Sequence, residues 1–148
     1  MDFHIFRAFG QFLVVELREL IVSTARGYLG VPYMHQGRTR HGLDCVGLVL
    51  MVAHDLNLSD FDIDHYSRVP SGRMMVRKIN EQCSRLKLSE IKPGDLLHIA
   101  YEKQPQHLAL VTDNGMIHAD NLRGVVEHRL DDGWRLKVRG AYRLPGVV

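Results

Sequence analysis

Only two cysteines, Cys45 and Cys83, occur in the 148 residues. At most one disulfide can form, which excludes a small cystine-stapled framework. Charge of one sign is lacking too: the formal net charge is +2, and neither a lysine/arginine run nor an aromatic ladder marks a nucleic-acid binder. No apolar stretch reaches the roughly 20 residues of a membrane helix. Repeats, low-complexity stretches and linkers are missing, so residues 1–148 are expected to form one domain. What is present is ordinary for a globular chain, with 45% hydrophobic and 24% charged residues. The nine histidines are the exception.

The apolar start, MDFHIFRAFGQFLVV, is a poor signal peptide. Its charged start is weak, Arg7 interrupts the run, and Glu16, Arg18 and Glu19 follow with no small-residue cleavage site. Residues 1–14 are therefore expected to be an N-terminal extension that docks on the domain or on a partner, in a chain made without an export signal.

An amphipathic helix is predicted from Glu16 to Tyr28, with Leu17, Leu20, Ile21, Thr24, Ala25 and Tyr28 on one face. Gly27 and Gly30 loosen its end and Pro32 stops it. Leu29 to Leu43 reads as a polar, glycine-rich loop. It runs into an enclosed helix whose stripe is Leu48, Val49, Val52, Ala53 and Leu56, with Val46, Leu50 and Met51 on the other side. Cys45 falls in the first turn of that helix and Asp44 is its N-cap. Unpaired N–H groups and the positive end of the helix dipole favour a thiolate there, although most free cysteines are simply small buried residues. A third helix is expected over Gly72–Leu86, with Cys83 as a core filler.

The second half changes period. Leu96–Ala100, His107–Thr112, Met116–Asp120, Gly124–Leu130 and Leu136–Leu144 are short, β-rich and separated by turn residues. The fold class is α+β, with N-terminal helices packed on a C-terminal antiparallel sheet of about five strands. HLALV and MIHAD flank Asn114–Gly115, a hairpin signal. With a four-residue loop, Thr112–Gly115, Ala109 lies opposite His118. His107 then becomes its diagonal neighbour, about 7–8 Å away between backbones. A two-residue loop at Asn114–Gly115 separates the histidines by about 13 Å along the strand; a three-residue loop sends them to opposite faces. Given the first register, Cys45, His107 and His118 fit the nucleophile, base and orienter of thiol acyl transfer. The Cys45 amide would then donate to the oxyanion. A zinc site from the same three residues is the chemical alternative, and their spacing matches no recognised metal pattern.

The segments YLGVPYMHQ, LDCVGLV, KPGDLLHI, HLALVTDNGMIHA and GAYRLPG resemble those of NlpC/P60 cysteine peptidases, and most those of the small branch encoded with phage and gene-transfer-agent tail genes. The resemblance covers about Glu16 to Pro145. It implies a compact papain-like fold, Cys45 as nucleophile, His107 as base and His118 as the third catalytic residue, with no cofactor. It also implies that Tyr33 borders the site near the oxyanion and that Asp44 helps to bind a free amine of the substrate. Many wall-cutting members have serine where Val46 stands, at the same substrate-binding position. The implied reaction is hydrolysis of peptidoglycan stem peptides, typically between D-γ-glutamate and the next diamino acid. The implied setting is a virion tail tip, with other tail proteins as partners, no nucleic acid and no membrane span. The rivals are a structural or plug module of the tail that retains the fold, and a related thiol amidase or acyltransferase.

Overall fold

The computed structural model describes residues 16–68, 71–101 and 104–148. The expected N-terminal extension lies outside them. Helix α1 covers residues 16–26 and buries Ile21, Val22 and Ala25, with Tyr28 just beyond its end. Leu20, expected on the same face, is exposed. Arg18 ties this helix to the sheet by a 2.9 Å ion pair with the fully buried Asp95. The expected loop contains a small hairpin, β1 (Arg38–Thr39) and β2 (Gly42–Leu43), that turns the chain into α2 (Cys45–Asp55).

Helix α2 starts where Asp44, in extended conformation, accepts from the Gly47 amide at 2.8 Å, which satisfies one of the orphan donors of a first turn. Cys45 through Leu50, Val52 and Ala53 are all buried, so the helix is enclosed on nearly all sides. Gly47 is required by close approach: a Cβ there would sit 2.1 Å from the Gly37 carbonyl oxygen. The hairpin backbone thus packs directly on the first turn that carries Cys45.

Helix α3 (Gly72–Gln82) is capped by Ser71 and buries Met75 and Ile79. It stops four residues short of the expected Leu86. Cys83 is extended, and Ser84–Leu86 forms β3, paired with β8 through Leu86↔Ala141. Cross-strand pairing overrides the helical period here. Then follow β4 (Leu96–Tyr101), β5 (Gln104–Thr112), β6 (Gly115–Asp120), β7 (Gly124–His128), the short α4 (Asp132–Arg135) and β8 (Val138–Arg143). They form a six-stranded antiparallel sheet in the order β3-β8-β4-β5-β6-β7. The count exceeds the expected five because of β3.

One face of the sheet packs Leu96, Leu108, Leu110, Ile117 and Tyr142 against Leu48 and Val52 of α2. The other face carries Leu97, Ile99, Ala109, Val111, Met116 and Ala141, covered by Ile91, Leu130, Trp134 and Val138. This is the α+β arrangement expected from helices followed by strands.

Gly47→Ala should cost about 1–3 kcal/mol, because no rotamer relieves a clash with backbone. For a chain of this size that lowers the melting temperature by roughly 3–10 °C. An unchanged thermal melt would refute the close packing of the β1–β2 hairpin on α2.

Candidate active site

Cys45 lies at the first position of α2, almost completely buried, with its Sγ 4.0 Å from the carbonyl oxygen of Gln106. It therefore abuts β5 immediately beside His107. The β5–β6 ladder holds only from Thr112↔Gly115 to Leu110↔Ile117. That is the register in which Ala109 falls opposite His118 and His107 on the diagonal; Asp113 and Asn114 form the tip. Beyond Leu110 no β5–β6 pairing continues, and the stretch of β5 that Cys45 touches lies in this unpaired part.

His107 and His118 are both fully buried. Nε2 of His107 is 2.6 Å from Nδ1 of His118, with the two rings edge to face. A proton, not a metal ion, fits between nitrogens at that separation. The geometry extends one step further than the sequence indicated. Nε2 of His118 is 2.7 Å from Nε2 of His128, whose Nδ1 is 2.9 Å from the Arg129 carbonyl oxygen. His128 lies opposite Met116 on β7 and His118 opposite Val126, so the diagonal relation between neighbouring strands is repeated. Two histidines spaced ten apart across a predicted strand–turn–strand were the available signal. No role was expected of His128 from the sequence.

Burial first, and then the neighbouring imidazole of His128, push His118 down to about 4, against the pull of Asp120. Burial likewise drives His107 well below its ordinary value, with His118 adding to it. The Cys45 thiol is pushed up to about 12, first by burial and second by the Asp44 carboxylate; the backbone amides of Leu108, Val46 and Cys45 pull the other way. The helix terminus was expected to favour a thiolate. It does, but desolvation is larger, and burial favours the neutral form of both the thiol and the His107 imidazole.

Asp44 does not face an open subsite. It is only 3% exposed and its oxygens accept from Gly47 N and Gln36 N, each at 2.8 Å, from the Tyr66 hydroxyl at 2.5 Å and from Arg38 at 3.4 Å. Four donors fill a carboxylate, so an amine reaches Asp44 only by displacing Arg38 or Tyr66. Val46 is buried and lines an apolar recess of about 80 Å³ between α2 and α3, together with Tyr66, Met74 and Leu108. Tyr33 is half-buried and its backbone bridges to Leu43, beside the turn into Cys45. Gln106, which no sequence signal marked, is held at its side chain by His98 at 2.7 Å.

Residues 30–143 match the NlpC/P60 family. The chain is 30% identical over 106 residues to a probable endopeptidase NlpC of Escherichia coli (strain K12), covering 70% of this chain and 62% of that protein. It is 31% identical over 137 residues to a gamma-DL-glutamyl hydrolase of Bacillus subtilis (strain 168), covering 85% of this chain and 30% of that protein. It thus spans less than two thirds of either relative. Among solved structures it is similar to the NlpC/p60 domain of the peptidoglycan hydrolase SagA, with a TM-score of 0.62 and 26% identity over 86% of this chain and 98% of that one. An NlpC/P60 family protein from Bacillus cereus ATCC 10987 shares the fold at a TM-score of 0.65, with 23% identity over 86% and 40% of the two chains.

A histidine kept neutral by burial takes up no proton until the pH nears its lowered value, whereas the unfolded chain protonates near 6.5. Protons then bind preferentially to the unfolded chain, and stability falls as pH drops from 6.5 toward 4. Thermal melts of Cys45→Ala protein should show that fall, and a smaller one in Cys45→Ala/His118→Gln. Equal slopes in the two proteins would sink the assignment of a buried neutral His118.

Proposed function

The chain belongs to the NlpC/P60 family, and from that membership we propose that it is a cysteine peptidase that hydrolyses peptidoglycan stem peptides, at the bond between D-γ-glutamate and the following diamino acid. The observation that carries the proposal is the meeting of Cys45 with β5 next to a fully buried, mutually bonded His107–His118 pair. A gamma-DL-glutamyl hydrolase among the relatives supports the choice of bond.

In the proposed reaction Cys45 Sγ attacks the scissile carbonyl carbon while His107 takes the thiol proton. The proton transfer accompanies the attack, because burial favours the thiol over the thiolate. The amide at the start of α2 donates to the oxyanion, where the helix dipole also favours negative charge. The C–N bond then breaks, and His107 returns its proton to the departing amine. Water adds to the thioester, with His107 again as base, and releases the acid and the free thiol. His118 holds the His107 ring and shares its proton. Val46 gives the recess an apolar wall where a serine would offer a hydroxyl, and Tyr33 borders the oxyanion side.

We further propose that the protein acts from the tail of a phage or gene-transfer agent, where it would meet the wall during DNA entry, and that residues 1–14 dock it to other tail proteins. The likeness of LDCVGLV and HLALVTDNGMIHA to that branch supports this reading. Among the described residues no helix is long and apolar enough to cross a membrane.

Wild-type, Cys45→Ala and His107→Ala proteins should be incubated with purified muropeptides and the products identified by mass spectrometry. Cleavage by the wild type, none by Cys45→Ala and a rate lowered about a hundredfold or more in His107→Ala are expected. Cleavage that persists in Cys45→Ala overturns the proposal. Unchanged incorporation into particles after deletion of residues 1–14 would overturn the docking role.

A further inference from the structure

We propose that His128 is a positioning residue of this site: acting through His118, it determines which nitrogen of His107 carries the proton, with the Arg129 backbone carbonyl as the fixed end of the relay. The role of His107 as base rests on the reading in the preceding subsection; the direction of the hydrogen bonds does not.

A carbonyl oxygen can only accept. Nδ1 of His128, 2.9 Å from the Arg129 oxygen, therefore carries a hydrogen. A neutral imidazole has one N–H, so Nε2 of His128 is a lone pair. It faces Nε2 of His118 at 2.7 Å, and the hydrogen between them belongs to His118. Nδ1 of His118 is then the acceptor. The nitrogen that faces it at 2.6 Å, Nε2 of His107, must donate. What remains on His107 is Nδ1 with its lone pair, the form a general base requires. Each ring has two nitrogens and one hydrogen, so a single acceptor at the outer end sets all three tautomers. An N–H donor at position 128 would reverse every bond and leave His107 with its hydrogen on Nδ1.

The outer end is built to stay in place. Gly115 adopts a φ of +142°, and a Cβ there would lie 2.2 Å from the His128 carbonyl oxygen, 2.6 Å from Leu130 N and 2.7 Å from the Arg129 Cα. The Arg129 peptide is thus packed flush against the β5–β6 turn and cannot drift from His128. Trp134 covers the exposed side of the relay, with its ring 5.0 Å from that of His128 and 5.6 Å from that of His118. The carboxylate closest in sequence to His118 does not compete for its proton. One oxygen of Asp120 accepts from the Leu122 and Arg123 amides, each at 2.9 Å, and the other from the Arg123 side chain at 3.4 Å.

The test reads tautomers directly, by nitrogen NMR of the full chain with 15N-labelled histidine at neutral pH. His107 and His118 should be protonated at Nε2 and His128 at Nδ1. His128→Phe removes the acceptor; His107 should then show a mixture of tautomers, and kcat on muropeptides should fall about tenfold or more with KM nearly unchanged. His128→Gln, whose side-chain oxygen can accept from His118, should restore most of both. A wild-type His107 protonated at Nδ1, or wild-type tautomers retained in His128→Phe, overturns the relay. If His128→Phe does not fold, the wild-type and His128→Gln tautomers decide. A chain inert toward muropeptides but with these tautomers keeps the relay and counts against the peptidase reading.

Discussion

The buried Asp44 carboxylate is the constraint on which the site depends. Its four donors come from the first turn of α2, from the backbone at Gln36, from Tyr66 and from Arg38. It therefore joins three segments that no regular element connects. The Gln36 amide reaches it from a left-handed backbone conformation, φ 60°, which a non-glycine residue holds only when its surroundings enforce it. The Gln36 side chain adds a 2.8 Å bond to the Tyr66 carbonyl. A charge this deep is tolerable because it is fully hydrogen-bonded and paired. Its cost is felt one residue later, where the same negative charge helps to keep the Cys45 thiol protonated.

On the sheet, the buried imidazoles of His107 and His118 solve a related problem without charge. His107 and His118 have no access to solvent, and charged rings there would be heavily penalised. A relay that ends on a backbone carbonyl instead of a carboxylate provides orientation without adding buried charge. The antiparallel pleat supplies the spacing, since each ring stands on the diagonal from the next and diagonal side chains of this length can touch.

Much of this was legible in the chain. The period of α2 and the Asp44–Cys45 start of the helix marked the nucleophile candidate, and the Asn114–Gly115 signal marked a hairpin whose loop length it left open; the Thr112↔Gly115 register is the one that brings His107 and His118 together. What was not legible depended on contacts between distant segments. Ser84–Leu86 continues a helical pattern and becomes a strand only because β8 is available to pair with it. His128 has nothing local to distinguish it from the other histidines; its partner His118 comes from the neighbouring strand. Asp44 read correctly as a cap, but the arrival of Tyr66 and Arg38 over its remaining lone pairs is a tertiary event. The helix terminus and the enclosed helix were both visible in sequence; that desolvation outweighs the terminus depends on how deeply the thiol is buried, which the sequence does not show.

The strand order sets when this protein can begin to work. β8 is the final strand of the sheet, yet it lies between β3 and β4, so both of those strands wait for it. A ribosome delivers residues in order, and Cys45 emerges long before Val138–Arg143 can be inserted. Contacts between segments so far apart in the chain form late and together. The sheet that presents the histidines is completed only after synthesis has passed them. A nascent chain carries the thiol without the finished surface opposite it, and the cell that makes a potential wall-cutting enzyme is spared its activity until β8 has been made and inserted.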